Sequence, residues 1–354
     1  MRGVAVLKFA RGSLRSPGTY ENVARGLGQR LDLGQRLVVV VGHPDRRGGG
    51  AAVARALRDT LRATGRDVTA RDGSGLGLVA EPVGPRDRLV RTDPVPLRRA
   101  LLRHEVVVVP GGEAVGAGGR TAWLGEHGAD LTAVALAAAL GTGWCEFHSE
   151  LGGVFTADPR TVPGARPLPE VSWETAALLG RHGARVLDPR AVRMARGHRV
   201  RLVFRRESRP LAPEGTVVAE GPEGTAVAEG PEGTAVAGGG APVAAVVCER
   251  SSQGLRYADE TAADRAFAAF HTAGFEAVRS LGRPVVALRG TDLAEYERPH
   301  GAAGGVYAGV PVTVLRGARA TQFLAPDGDA ALRLARRLHR TLLPSPAQAA
   351  TSVR

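Results

Sequence analysis

Four short runs read as strands: WCEFHSE (144–150) is mixed, and VAVLKF (4–9), RLVVVVG (36–42) and EVVVVPGG (105–112) are apolar over most of their length with little alternation. A strand of that kind must be covered on both faces, as in a parallel sheet held between two helical layers. Helical patterns lie between the runs, at AAVARALRDTLRATG (51–65), PLRRALLRH (96–104) and DLTAVALAAALG (130–141). This alternation predicts an α/β three-layer sandwich with a mostly parallel sheet. Ligands of such sheets sit outside the carboxyl ends of the strands. Those ends are Lys8 to Ser13, Gly42 to Asp45, Pro110 to Gly112, and Ser149 to Gly153.

One of these ends carries an unusual residue. Lys8 is the only lysine among 47 basic residues, and all the others are arginine. Lysine is a compact, strongly hydrated point charge, whereas arginine is a wide planar fork. A site that admits one ammonium among phosphate oxygens would tell the two apart. A solvated lysine that survived a general drift to arginine would look the same in the sequence.

The length of 354 residues and the 44% hydrophobic content fit two domains with a real core. Cys145 and Cys248 sit beside apolar runs and read as buried packing residues in a reducing compartment. No apolar stretch reaches the length of a membrane span, and Met1-Arg2 leads straight into a strand, so the expected location is the cytoplasm. The net charge of +12 invites a nucleic-acid partner, but the arginines are scattered among Asp and Glu with no aromatic platform. They read as solvated faces, and neither a nucleic acid nor a membrane is expected as a partner. His43, His104, His127, His148 and His182 show no metal-ligand spacing, and Trp123, Trp144 and Trp173 read as packing residues or pocket edges.

Near residue 210 the composition changes. EGTVVAEGP, EGTAVAEGP and EGTAVAGGG form a nine-residue repeat from Glu214 to Gly240. It reads as a low-complexity linker, with an added hairpin as the alternative. Beyond it lie strand patterns at 242–249, 283–290 and 309–317 and a helix pattern at 259–278. A strand, turn and helix at 321–343, capped at Asp327 or Asp329, close a small β/α module. The expected plan is a main domain over 1–208, a linker over 209–241, a small α+β domain over 242–345 and a disordered tail over 346–354.

Taken together, the VLKF start, VVVVPGG and the long stretch from Asp130 to Arg205 resemble aspartokinases of the amino acid kinase family. The closing APDGDAALRLARRLHRTL is similar to the end of the ACT regulatory module that follows that kinase domain. The resemblance implies ATP-dependent phosphorylation of a carboxylate of aspartate or a related amino acid, with ATP and Mg²⁺ as cofactors and no protein-held metal cluster. It implies an amino acid effector and a homodimer formed through the ACT-like module. It makes Lys8 the cation that bridges the phosphates and Asp130 the aspartate closing the family's G-R-G-G-S-D loop. Asp130 also reads as a helix N-cap, and the two roles are compatible. On the nucleotide side the resemblance implies Gly12, Ser13, Ser149, Glu150, Thr156, Asp158, Arg160 and Arg185, and for the acceptor Ser13 and Glu126.

The same comparison exposes departures. K-F-G-G-T-S reads Lys8-Phe9-Ala10-Arg11-Gly12-Ser13, so two glycines are gone. G-R-G-G-S-D reads Gly125-Glu126-His127-Gly128-Ala129-Asp130, with an acid where the family grips the substrate carboxylate. T-D-V-D-G reads Ser149-Glu150-Leu151-Gly152-Gly153. In G-A-K-V-L-H-P the lysine is Arg185 and the histidine is Asp188, and S-T-G-E is replaced by RRGGG (46–50). Three readings stay open: a divergent kinase with an altered substrate site, a catalytically inactive homologue that binds or regulates, and a paralogue without a settled role.

Overall fold

The computed structural model describes residues 3–10, 12–42, 49–83, 86–125, 127–181, 184, 187–207 and 215–220, with residues 261 and 265 and the segments 226–229, 243–246, 254–256, 276–280, 285–289, 303–307, 310–316, 320–324 and 328–342. The chain forms two compact units. The first comprises Met1–Val154, Pro169–Trp173 and Arg190–Gly221; the second comprises Phe155–Leu168, Glu174–Pro189 and Pro222–Arg354. Two segments before residue 208 therefore leave the first unit, and that unit runs on past 208.

In chain order the elements up to residue 219 are β1 (Val4–Phe9), α1 (Pro17–Asp32), β2 (Arg36–Val41), α2 (Gly49–Ala63), β3 (Val68–Ala70), β4 (Leu78–Val83), β5 (Arg86–Thr92), α3 (Pro94–Arg103), β6 (Val106–Pro110), β7 (Glu113–Val115), β8 (Thr121–Trp123), α4 (Gly128–Leu140), β9 (Trp144–Ser149), β10 (Val154–Phe155), β11 (Pro167–Leu168), β12 (Glu170–Ser172), α5 (Trp173–Arg181), α6 (Pro189–Gly197), β13 (Arg201–Arg206) and β14 (Thr216–Ala219). Eight strands form the main sheet in the order β12-β14-β13-β9-β1-β2-β6-β3. Every neighbouring pair is parallel except β13 with β14.

The register sorts the side chains onto two faces. Leu7 lies beside Val39 and Glu146, and Lys8 beside Val40 and Phe147, so these two sets alternate. The Leu7 face is covered by α1 and α2 through Leu27, Leu31, Leu57 and Leu61, all buried in one cluster with Ala5, Leu7 and Phe9. Each fully buried leucine contributes about 1.5–3 kcal/mol. The Lys8 face is covered by α4, which contacts β1, β2 and β9 and is buried continuously from Asp130 to Ala137. Helices on both faces complete the three-layer sandwich. A separate sheet, β5-β4-β7-β8, carries the loop that leads into α4.

β14 changes the reading of the repeat. Its first copy is not linker: Gly215 donates its N–H to Phe204 O at 2.9 Å, and Thr216–Ala219 joins the main sheet between β12 and β13. A Cβ on Gly215 would lie 1.9 Å from Gly152 O, so that glycine permits a backbone approach no other residue allows. Most of the rest of the repeat lies outside the described residues.

In the second unit five strands pair in the order Val243–Val246, Ala226–Glu229, Ala320–Leu324, Val310–Arg316 and Ala303–Tyr307. Val285–Arg289 pairs antiparallel with both Gly254–Arg256 and Glu276–Ser280. Four strand expectations and the last helix, α7 (Gly328–Leu342), coincide with these elements. Glu276–Ser280 is a strand where the sequence pattern extended a helix to 278. Nearly all of that helix pattern, Asp327 and the tail 346–354 lie outside the described residues; Asp329 lies in the first turn of α7.

Candidate functional site

The carboxyl ends of β9, β1, β2 and β6 emerge side by side. The ladder continues one residue past each strand: Ala10 N–H donates to His148 O at 2.9 Å, Gly42 N–H to Phe9 O at 3.2 Å and Gly111 N–H to Val41 O at 3.0 Å. Three of the four strand ends named from the sequence are thereby joined in one rim. At the fourth, Ser149 Oγ accepts from Gly152 N–H at 3.1 Å.

Lys8 points from this rim toward the first turn of α4. Its Nζ lies 2.7 Å from Asp130 Oδ1, and the side chains are 14% and 3% exposed. The ammonium also stands 5.9 Å from the centre of the Phe147 ring, within reach of its electron-rich face. Lys8 is therefore not a solvated survivor: it is a nearly buried cation fixed by a buried carboxylate. His127 occupies the N-cap position and Asp130 lies two residues inside the helix. The N-cap expectation for Asp130 is corrected; its carboxylate serves Lys8, at the end of a helix that favours negative charge.

Glycines bring α4 this close. Gly112 has φ +91° with the Trp123 ring packed over it, and its N–H donates to Thr132 Oγ1 at 3.0 Å. Trp123 is itself held, because its N–H donates to Asp87 Oδ2 at 2.7 Å and Arg120 pairs with the same carboxylate. Arg190 Nη2 donates to Leu124 O at 2.7 Å and fixes the last residues before the loop. Neither Asp87 nor Arg190 was singled out in the sequence, where each is one charge among many.

The remaining candidates separate clearly. Ser13 is buried, and its Oγ has no hydrogen-bond partner in the structure; Gly12 precedes it beside the Arg15 guanidinium. Glu150 is exposed. Gly152 stands where the family motif has an acid, with φ +68° and room for no Cβ, since one would lie 2.5 Å from Arg206 N. Glu126, Arg185 and Arg11 lie outside the described residues.

Thr156, Asp158 and Arg160 belong to the second unit. Asp158 takes the Arg160 guanidinium in a two-pronged pair at 3.0 and 2.9 Å and also accepts Arg160 N–H. Burial would raise the Asp158 carboxyl, but these Arg160 contacts outweigh it and hold the group below its usual range. Thr156 Oγ1 accepts from Arg166 N–H and lies 2.9 Å from His339 Nε2 on α7. Arg336 on the same helix donates to Thr161 O at 2.8 Å. The motif turn is thus clasped by the last helix of the chain, a contact that no local sequence signal announces.

Burial, and then the Arg166 charge, hold the His339 pKa below its ordinary 6.5. The unfolded chain then takes up a proton before the folded one does as pH falls. The stability His339 contributes is full above its unfolded value and is lost as pH falls toward the folded value. Thermal melts are expected to be level well above pH 6.5 and to drop as pH falls below it. His339→Gln should flatten the drop, and an unchanged pH profile in that variant would contradict the assignment.

Among the described residues no group of three His, Cys, Asp or Glu side chains is placed to hold a metal, and no helix is long and apolar enough to cross a membrane. Cys145 is buried, as expected, and burial pushes its thiol up; Cys248 lies outside the described residues.

A sheet whose strand ends are joined in one rim, with a lysine and a helix-borne aspartate paired at its centre, is the arrangement of an amino acid kinase fold. The amino acid kinase family model matches residues 53–205. Escherichia coli aspartokinase III, in its R-state complex with aspartate and ADP, superposes with a TM-score of 0.71 at 15% identity, covering 96% of this chain and 99% of that one. The aspartokinase of Geobacillus stearothermophilus is 32% identical over 243 residues, which is 62% of this chain and 59% of that protein. Aspartokinase 2 of Bacillus subtilis is 35% identical over 164 residues, covering 46% and 40%. The chain spans less than two thirds of the length of the Geobacillus and Bacillus relatives. It has the amino acid kinase fold and is similar to aspartokinases over part of their length.

Proposed function

We propose that this chain is an ATP-dependent phosphotransferase that passes the γ-phosphoryl group to a carboxylate of aspartate or a related amino acid. The observation that carries the reading is the Lys8–Asp130 pair, at 2.7 Å and nearly sealed from water, on the carboxyl rim of the sheet. A carboxylate acceptor is already ionised at neutral pH, so the reaction needs no general base. Its demands are alignment of the acceptor and neutralisation of phosphate charge.

Lys8 supplies the ammonium that spans phosphate oxygens, and Asp130 holds that ammonium in place. The unpartnered Ser13 hydroxyl, on the loop leaving the same strand, fits a phosphate or acceptor oxygen. One ammonium, one carboxylate and one hydroxyl at a strand end suit a phosphate that arrives with its magnesium ion. Mg²⁺ would neutralise phosphate charge, keeping most of its waters and asking little of the protein. Gly12, Ser149, Glu150, Arg185 and the Thr156, Asp158 and Arg160 turn are assigned to the nucleotide, and Glu126 to the acceptor, on their match to the family motifs.

E. coli aspartokinase III has been seen with aspartate and ADP and with lysine and aspartate. By analogy the second unit is assigned an amino acid effector and a homodimer contact, and the protein a cytoplasmic location. The test is ADP release with aspartate and then amine-bearing analogues as acceptor, with hydroxylamine trapping the acyl phosphate as a hydroxamate. Acceptor-dependent ADP and hydroxamate are expected together. The second reading, an inactive homologue that binds or regulates, draws on Gly152 standing where an acid is usual. Absence of both products with every acceptor would favour it.

A further inference from the structure

On the sheet face opposite Lys8, one carboxylate oxygen gathers three partners. Glu146 Oε2 accepts from Arg30 Nη2 of α1 at 2.6 Å, pairs with Arg205 Nε of β13 at 3.1 Å and lies 2.9 Å from His148 Nε2. The Glu146 and His148 side chains are completely buried. Burial would raise the Glu146 carboxyl, but the His148 hydrogen bond and the charges of Arg30, His148 and Arg205 outweigh it, and the group is held below its usual range. Burial holds the His148 imidazole down and therefore neutral, a form that donates to Glu146 from Nε2. Stability alone does not ask for such a cluster, because apolar side chains of similar volume in place of a buried ionic group are often neutral or stabilising. What the cluster adds is direction, since each hydrogen bond fixes an angle as well as a contact.

Glu146 and His148 flank Phe147 on β9, and Phe147 is the ladder partner of Lys8. The Phe147 ring, on the other face, stacks on Phe204 with centres 5.5 Å apart and has the Lys8 ammonium 5.9 Å from its centre. His148 also holds the two residues that follow Lys8. Its ring stacks on Phe9 at 4.7 Å, and its carbonyl accepts Ala10 N–H at 2.9 Å. We propose that Arg30, Glu146, His148 and Arg205 form a clamp that sets the end of β1, and with it the reach of the Lys8 ammonium into the phosphate site. The clamp lies across the sheet from that site, so its members are positioning residues. The inference rests on the functional reading only in taking phosphate as what Lys8 meets.

Lys8 is the only lysine, so the full chain grown with ¹³C,¹⁵N-lysine gives one set of side-chain signals, and these are the readout. Arg30→Met, Glu146→Leu, His148→Phe and Arg205→Met combined replace the clamp with apolar volume. That variant is expected to fold, to move the Lys8 signals and to bind Mg·ATP at least about tenfold more weakly than wild type. His148→Phe alone keeps a ring against Phe9 and both arginine pairs, breaks one bond of the clamp, and should move the Lys8 signals less far; it decides the matter if the fourfold variant does not fold. Leu57→Ala is the control: it opens the same buried cluster from α2, away from α1, β9 and β13, and should lower the melting temperature while leaving the Lys8 signals in place. Lys8 signals that stay put in either folded clamp variant, or that move as far in Leu57→Ala, would overturn the clamp. So would undiminished Mg·ATP affinity in the fourfold variant beside a wild type that binds. Lys8 signals that respond as expected in a protein that binds no Mg·ATP would uphold the clamp and overturn the functional reading instead.

Discussion

Lys8→Ala is expected to abolish phosphoryl transfer and to destabilise the protein in the same stroke. Removing one preorganised charge from a water-excluded phosphoryl site costs about 10²–10³ in rate, and Lys8 is the cation at the strand end. Its loss also strands Asp130, whose side chain is 3% exposed. Breaking a buried pair from one side costs about 3–5 kcal/mol, because the remaining charge has no solvent to turn to. Lys8→Arg keeps the charge but needs room for a wide fork under the first turn of α4, and it should also fail in turnover. Asp130→Asn in the Lys8→Ala background should recover much of the lost stability and none of the activity. Urea unfolding beside ADP release separates the two effects. A Lys8→Ala variant with full turnover would contradict the assigned role, and one with wild-type stability would contradict the buried pair.

Gly111→Ala should produce the next largest effect. The added methyl would sit 2.5 Å from Ala129 Cβ, 2.7 Å from Ala129 Cα and 2.9 Å from Val40 Cγ1. Two of these atoms belong to α4 itself, so the helix start must move, and Asp130 is the next residue along. Overpacking of this kind costs about 1–3 kcal/mol. A shift of about 1 Å in a positioned group lowers turnover roughly 10²-fold. Gly18→Ala in the first turn of α1, where a Cβ would meet nothing within 4 Å, is the matched control and should be neutral or slightly stabilising. Equal stability and turnover in Gly111→Ala and wild type would show that the strand-end loop does not set the position of α4.

What could be read in advance follows from what leaves a local mark. The runs that form β1, β2 and β6 are almost wholly apolar, so burial in a parallel sheet is legible in them; β9 reads as a strand too, but the burial of its Glu146 and His148 leaves no such mark. Lys8 was conspicuous as the one lysine in an arginine-rich chain, and Asp130 as the start of a helix pattern. The helix α1 left a fainter mark: Gly18, Gly26 and Gly28 weaken its propensity, and its stability comes from packing Val23, Ala24, Leu27 and Leu31 against the sheet. β7 and β8 are three residues each, too short for a period to show. β14 was hidden inside a repeat because its strand identity depends on Gly215 meeting Gly152 from a segment more than sixty residues earlier. The Thr156–His339 contact, the Asp87 latch on Trp123 and the cations around Glu146 are all long-range. Spacing along the chain carries no trace of such contacts.

The central claim is that the Lys8–Asp130 rim is a working phosphate site. Calorimetric titration of wild type and Lys8→Ala with Mg·ATP, each variant shown to be folded by its near-ultraviolet dichroism, tests it most directly. Wild type is expected to bind between micromolar and low millimolar, and the alanine variant to show no heat of binding. A folded wild type that binds no nucleotide, or a Lys8→Ala protein that binds it as tightly as wild type, would contradict the account.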